Sequence, residues 1–145
     1  MRYPSITLYT DNLPDNVGGC ANACVVRIRT KYRADAGIHA HEAEHVRQWW
    51  MGVLIGMLVA LALNILPAPA ICSVWWPLAL SAGAALHPLA YLLLPRYRLW
   101  AEARAYRIQA THYPDDRSRL FAGFIASRYG LEITPCETLN AIMKG

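Results

Sequence analysis

Residues 37–51 read Gly37-Ile38-His39-Ala40-His41-Glu42-Ala43-Glu44-His45-Val46-Arg47-Gln48-Trp49-Trp50-Met51, a passage from a charged segment into an apolar one with no proline at the junction. The spacing predicts a helix that starts near Asp35, whose carboxylate suits an N-cap, and continues through residues 51–66 to a stop at Pro67. Four residues of helix bring His45 back to within ~40° of His41, one turn along, so the two imidazoles can converge on one metal ion. Glu42 completes His-Glu-x-x-His; beside the first ligand, its carboxylate is placed to take a proton from a metal-bound water. His39 and Glu44 flank the motif and read as surface groups.

The composition explains what the helix runs into. Of 145 residues 55% are hydrophobic and 17% charged, against roughly 45–50% and ~25% in ordinary soluble domains. The imbalance is local, because residues 48–95 contain no Asp, Glu, Lys or Arg. Residues 49–66 would span ~27 Å as a helix and residues 71–94 ~36 Å, both close to the ~30 Å of a bilayer core. Pro67-Ala68-Pro69-Ala70 between them predicts a tight turn, hence a transmembrane hairpin. Trp49 and Trp50, Trp75 and Trp76, and Tyr91 and Tyr97 fall where interfacial aromatics belong. The competing reading, a buried hairpin in a soluble protein, leaves too little chain to cover so much apolar surface.

Gly52, Gly56 and Ala60 recur every four residues in the first span, and Ser81 and Ala85 in the second, so close helix approach is expected, with homo-oligomerisation through the Gly52/Gly56 face as one use of it. Arg47 precedes the first span, Arg96 and Arg98 follow the second, and the turn has no basic residue. The chain is therefore expected in the inner (cytoplasmic) membrane, with both termini cytoplasmic. His87, inside the second span, is expected to bond a backbone carbonyl freed by Pro88.

Ahead of the motif, residues 5–10 and 24–29 alternate as short strands and predict a small sheet or hairpin. Behind the hairpin, residues 97–109 and 115–129 read as helices, the latter stopped by Gly130, and Thr134-Pro135-Cys136-Glu137 announces a last helix by its capping box. The expected fold is a single domain over residues 1–145, mainly α with a small N-terminal β element. The net charge of +4 is scattered, which argues against a nucleic-acid partner. Cys20, Cys24, Cys72 and Cys136 read as reduced thiols, since no pair matches the Cys20–Cys24 spacing. Residues 1–5 carry a positive charge with no apolar run behind it, so no cleavable signal is expected.

Two histidines leave a zinc ion short of a third protein donor, and a hairpin that re-enters on the same side returns residues 96–109 to the motif. Glu102 arrives opposite His45 and is the expected third ligand. With His41-Glu42-Ala43-Glu44-His45 and the helical Glu102-Ala103-Arg104-Ala105 in hand, the chain resembles the gluzincin branch of zincin metallopeptidases, in particular small membrane-embedded forms, over about residues 24–109. The resemblance implies Zn2+ on His41, His45 and Glu102, with Glu42 as general base and proton shuttle in peptide hydrolysis. It also implies an edge strand along the cleft at Val25, Val26, Arg27, Ile28 and Arg29, where an extended peptide or membrane-proximal protein substrate would lie. Ala105 and Tyr106 stand where many relatives carry an Asp that orients a histidine; Tyr106, His112 and Tyr113 are the candidates for stabilising the transition state. The alternative function is a non-catalytic small membrane protein that serves as a structural or interaction partner in a membrane or envelope complex.

Overall fold

A computed structural model describes residues 3–65 and 72–144. Among them are three short strands, β1 (Ile6–Tyr9), β2 (Gly19–Asn22) and β3 (Val25–Ile28), a 3-10 turn at Thr30–Tyr32, and five helices: α1 (Ala36–Ile65), α2 (Cys72–Leu93), α3 (Pro95–Ala110), α4 (Ser118–Arg128) and α5 (Pro135–Lys144). The mainly helical fold with a small N-terminal sheet is the one expected. The turn at residues 67–70 and the side chain of Trp75 lie outside the described residues.

The sheet differs from a simple hairpin of the two expected strands. Its order is β1-β3-β2, with β1 parallel to β3 and β2 antiparallel to it. The hairpin is instead β2–β3, closed by Ala23 and Cys24, with Ala23 at φ 56°, the positive φ that two-residue hairpin turns demand. Gly18-Gly19 reads as a turn by composition, yet Gly19 opens β2. Val26 and Ile28 point into a small core with Val46 of α1. On the opposite face Arg29 donates to the carbonyls of Val17 (2.8 Å), Leu13 (2.6 Å) and Pro14 (2.6 Å), folding the preceding loop onto β3.

α1 is one unbroken helix that carries both the motif and the apolar run. Asp35 caps it, accepting from the Ile38 N–H at 3.1 Å, and also accepts the Tyr113 hydroxyl at 2.8 Å. α1 and α2 are long and apolar enough to cross a membrane, and 28% and 11% of their apolar windows is buried inside the protein. The two pack through glycine. A Cβ on Gly83 would lie 2.7 Å from Gly52 O and 2.7 Å from Gly56 Cα, so backbone meets backbone. The Gly52/Gly56 face packs against α2 within the chain. The matching stripe on α2 is Ala79 and Gly83, both buried, whereas Ser81 is exposed.

Pro88 deprives the Ala84 carbonyl of its helical donor, and the indole Nε1 of Trp49 supplies one at 2.9 Å. Leaving that carbonyl unpaired would cost about 1–3 kcal/mol. Trp49, an expected interfacial aromatic, therefore fills the role anticipated for His87. α3, opened by Pro95 at its first turn, folds back antiparallel to the motif half of α1: Gln48 Nε2 reaches Ala101 O (3.3 Å) and Arg104 Nε reaches Glu44 Oε1 (2.6 Å). α4 and α5 close a second core of Phe121, Ile125, Leu131 and Ile142 against α3. Gly130, at φ +60°, ends α4, and the Thr134–Glu137 capping box starts α5 through reciprocal bonds of 2.9 and 3.3 Å.

Candidate metal centre

Helix spacing places His41 and His45 on the face of α1 that α3 covers, and α3 inserts Glu102 between them. His41 Nε2 and His45 Nε2 are 3.2 Å apart, and Glu102 Oε2 and Oε1 lie 3.6 and 3.5 Å from them respectively. A tetrahedral ion with bonds of ~2.1 Å sets its donors ~3.4 Å apart, and the three residues each offer a donor atom within 4.8 Å of the others. Glu102 is 2% exposed, and its Oε2, like His41 Nδ1, is buried with no hydrogen-bond partner among the described residues. A buried carboxylate oxygen beside an imidazole, with no donor to accept from, is chemically suited to a cation. The His41-His45-Glu102 group can hold a metal ion.

The neighbours orient the donors. His45 Nδ1 meets Gln48 Oε1 at 3.1 Å, so donation from Nδ1–H leaves Nε2 unprotonated and facing the cluster. Burial disfavours the imidazolium of His45, but the Glu102 carboxylate outweighs it and raises the ring to about 9. Burial likewise pushes Glu102 up, and the two histidines reverse this, holding its carboxyl below the usual range. Glu44 is a correction to its reading as a surface group: it is 5% exposed and bonds Arg47 Nε (2.7 Å) and Arg104 Nε (2.6 Å). Although burial pushes its carboxyl up, the two guanidiniums hold it low.

Glu42 lines the same cavity of about 1010 Å³ as the three donors and is 5% exposed. One carboxylate interaction comes from the backbone N–H of Ala21 in β2, while Oε2 has no partner among the described residues. Burial pushes the Glu42 carboxyl up, partly countered by the two histidines, as suits a proton acceptor. A Cβ on Gly19 would lie 2.7 Å from Glu42 Oε1, so a side chain there would push the carboxylate aside.

The other expected residues separate. Tyr106 sits with its ring edge-on to His41, centroids 4.4 Å apart, and burial pushes its hydroxyl up to about 12. Tyr113 lines the cavity, but its hydroxyl is committed to Asp35. His112 is exposed and spends Nδ1 on the Ile108 carbonyl at 3.0 Å, outside the cavity. Val25–Ile28 is the central strand with a partner on each side, so residues 25–29 do not form the edge expected of them. The strand that borders the cavity is β2, through Gly19, Cys20, Ala21 and Asn22.

Three contributors escaped the sequence reading. Tyr91, from α2, donates to Glu102 Oε1 at 2.5 Å. His87 lines the cavity with its ring centroid 6.4 Å from that of His45 and shares a 2.8 Å hydrogen bond between Nδ1 and Tyr97 OH. Gln48 stands three residues after His45 on the same helix, and that spacing was the available signal.

The fold and this cluster define a small, mainly helical protein with two membrane-length helices and a buried His-His-Glu group that can hold a metal. No family model, curated protein or solved structure matches the chain, so its function rests on the chemistry of the site.

Proposed function

We propose that this chain is a zinc-dependent, membrane-associated peptidase of the gluzincin type. The observation that carries the reading is the convergence of His41, His45 and Glu102, with donor atoms within 4.8 Å of one another, in one cavity with the buried carboxylate of Glu42. His41, His45 and Glu102 would hold the zinc, which when bound would supply a water of pKa ~7 and polarise a carbonyl. Glu42 would be placed to accept that water's proton and return it to the departing amine. Tyr106 and Tyr91 stand beside the donors as hydroxyl groups able to face charge that develops on the carbonyl oxygen. The outer edge of β2 runs beside Glu42, so an extended peptide added to it would carry its backbone past the cluster.

Both termini are assigned to the cytoplasmic side on the placement of Arg47, Arg96 and Arg98. Arg47 precedes Trp49 by two residues, ~3 Å of rise, which puts the cavity beside the headgroup layer and favours juxtamembrane or membrane-tethered substrates.

The test is Glu42→Gln in the purified full chain. It should retain zinc and the fold while losing cleavage of membrane-tethered peptides. Cleavage at the wild-type rate by this variant would end the peptidase reading; zinc binding by a wild type inert toward peptides would favour the non-catalytic membrane protein instead.

A further inference from the structure

A second cavity, of about 500 Å³, opens where α1, α2 and α3 meet; of its lining only His87 is shared with the metal cavity. Its walls are graded along α1. Arg47, Met51 and Ile55 follow one another at successive turns, so the lining passes from charged to apolar within ~12 Å of helix rise. α2 continues the apolar half with Leu86 and Ala90, and α3 adds Trp100 and Arg104 at the charged end.

The charged end has cation to spare. Arg47 and Arg104 share the single carboxylate of Glu44, leaving two guanidiniums against one negative charge. Arg104 spends Nε on that bond; among the described residues neither of its Nη atoms has a hydrogen-bond partner, and its side chain is 40% exposed. Its guanidinium carbon lies 6.0 Å from the ring of Trp100, itself 47% exposed, as an aromatic at a bilayer surface would be. A soluble anion would use the arginines and leave the apolar half empty. A zwitterionic lipid would fill the apolar half but bring a second cation to the arginines. Guanidinium pairs recognise phosphate by bidentate hydrogen bonds, and basic pockets between membrane helices suit anionic headgroups.

We propose that this groove binds one anionic phospholipid, with its phosphate on Arg47 and Arg104 and an acyl chain between Met51, Ile55, Leu86 and Ala90. The proposal needs the membrane placement of α1 and α2 but not the peptidase chemistry. The lipid would also reach the metal cluster indirectly. Glu44 Oε1, which holds Arg104, accepts Gln48 Nε2 at 3.4 Å, and Gln48 Oε1 meets His45 Nδ1.

The full chain in mild detergent is titrated with phosphatidylglycerol, with phosphatidylcholine of the same acyl chains, and with inorganic phosphate, while thermal unfolding and lipid retention by native mass spectrometry are followed. Phosphatidylglycerol alone should raise the unfolding midpoint and remain bound. Arg104→Gln should weaken that binding about tenfold or more, the loss of a charged hydrogen-bond partner. Ala90→Phe fills the apolar half without touching Arg47, Arg104 or Glu44, and should also lower phosphatidylglycerol retention. Equal protection by both lipids, equal protection by inorganic phosphate, or undiminished retention in Ala90→Phe would overturn the proposal. Recovery of the wild type in the soluble fraction of lysed cells would instead refute the membrane placement on which it rests.

Discussion

Tyr91, near the C-terminal end of α2, donates its hydroxyl to Glu102 Oε1 at 2.5 Å, so a residue of a membrane-length helix orients a donor of the metal cluster. Residues that hold a ligand in place typically account for 10–100-fold in metal affinity. Tyr91→Phe should therefore lower zinc affinity by about 10–100-fold while leaving helix content unchanged, as read by chelator competition and circular dichroism. Unaltered affinity would show that the bond does not serve the site.

Three donors leave no redundancy. His41→Ala, His45→Ala and Glu102→Ala should each abolish stoichiometric zinc in the purified protein, measured by elemental analysis. If Glu102→Ala keeps one equivalent, the donor set is wrong and another carboxylate completes it.

A metal ion bound through His45 would compete with a proton on its ring. The ring of His45 is raised from 6.5 to about 9 in the metal-free fold, because Glu102 outweighs burial. A raised folded-state pKa contributes stability that is fully present below 6.5 and lost as pH rises through about 9. Since zinc competes with that proton, its apparent affinity should rise close to tenfold per pH unit between 6.5 and 9, with about one proton released per ion bound. Titration calorimetry in buffers of different ionisation enthalpy reads the proton directly; a pH-independent affinity would mean that His45 does not bind the metal.

The glycine contact between α1 and α2 has its own test. A side chain at Gly83 must push the Gly52 and Gly56 backbones away, so Gly83→Leu should cost at least about 1–3 kcal/mol of stability, as overpacking does. Ser81→Leu, on an exposed position of α2, should be close to neutral. Equal unfolding midpoints for the two variants in detergent would argue that the helices do not pack through this face.

Much of this architecture is legible from local pattern. The junction at residues 45–50 has nothing to stop a helix, and α1 does run unbroken from Ala36 to Ile65. The four-residue spacing brings the imidazoles of His41 and His45 together whatever surrounds them, because it depends only on helix geometry. Asp35, Gly130 and the Thr134–Glu137 pair mark helix ends by side-chain chemistry that acts within a turn, and each acts as read. Glu102 was also accessible, because a hairpin returns its far end to the starting side and only one carboxylate follows within reach.

Pairings across the fold are different in kind. That β3 lies between β1 and β2 depends on which strand edges meet in space, and two four-residue strands read alike whether central or at the edge. Glu44 looks like a solvated carboxylate until α3 lays Arg104 against it, and His87 looks like a partner for the carbonyl freed by Pro88 until Trp49 takes it. Tyr91 has the composition signal of an interfacial aromatic and the tertiary role of a ligand's support. The sequence by itself determined the helices, their caps, the apolar spans and the metal-donor spacing, because these follow from interactions within a turn or from summed hydropathy. Only the tertiary structure decided the strand order, the burial of Glu44, the internal use of the glycine face and the neighbours of the site. Each of those depends on a side chain finding one partner among several chemically equivalent ones, a choice made by packing distant segments together.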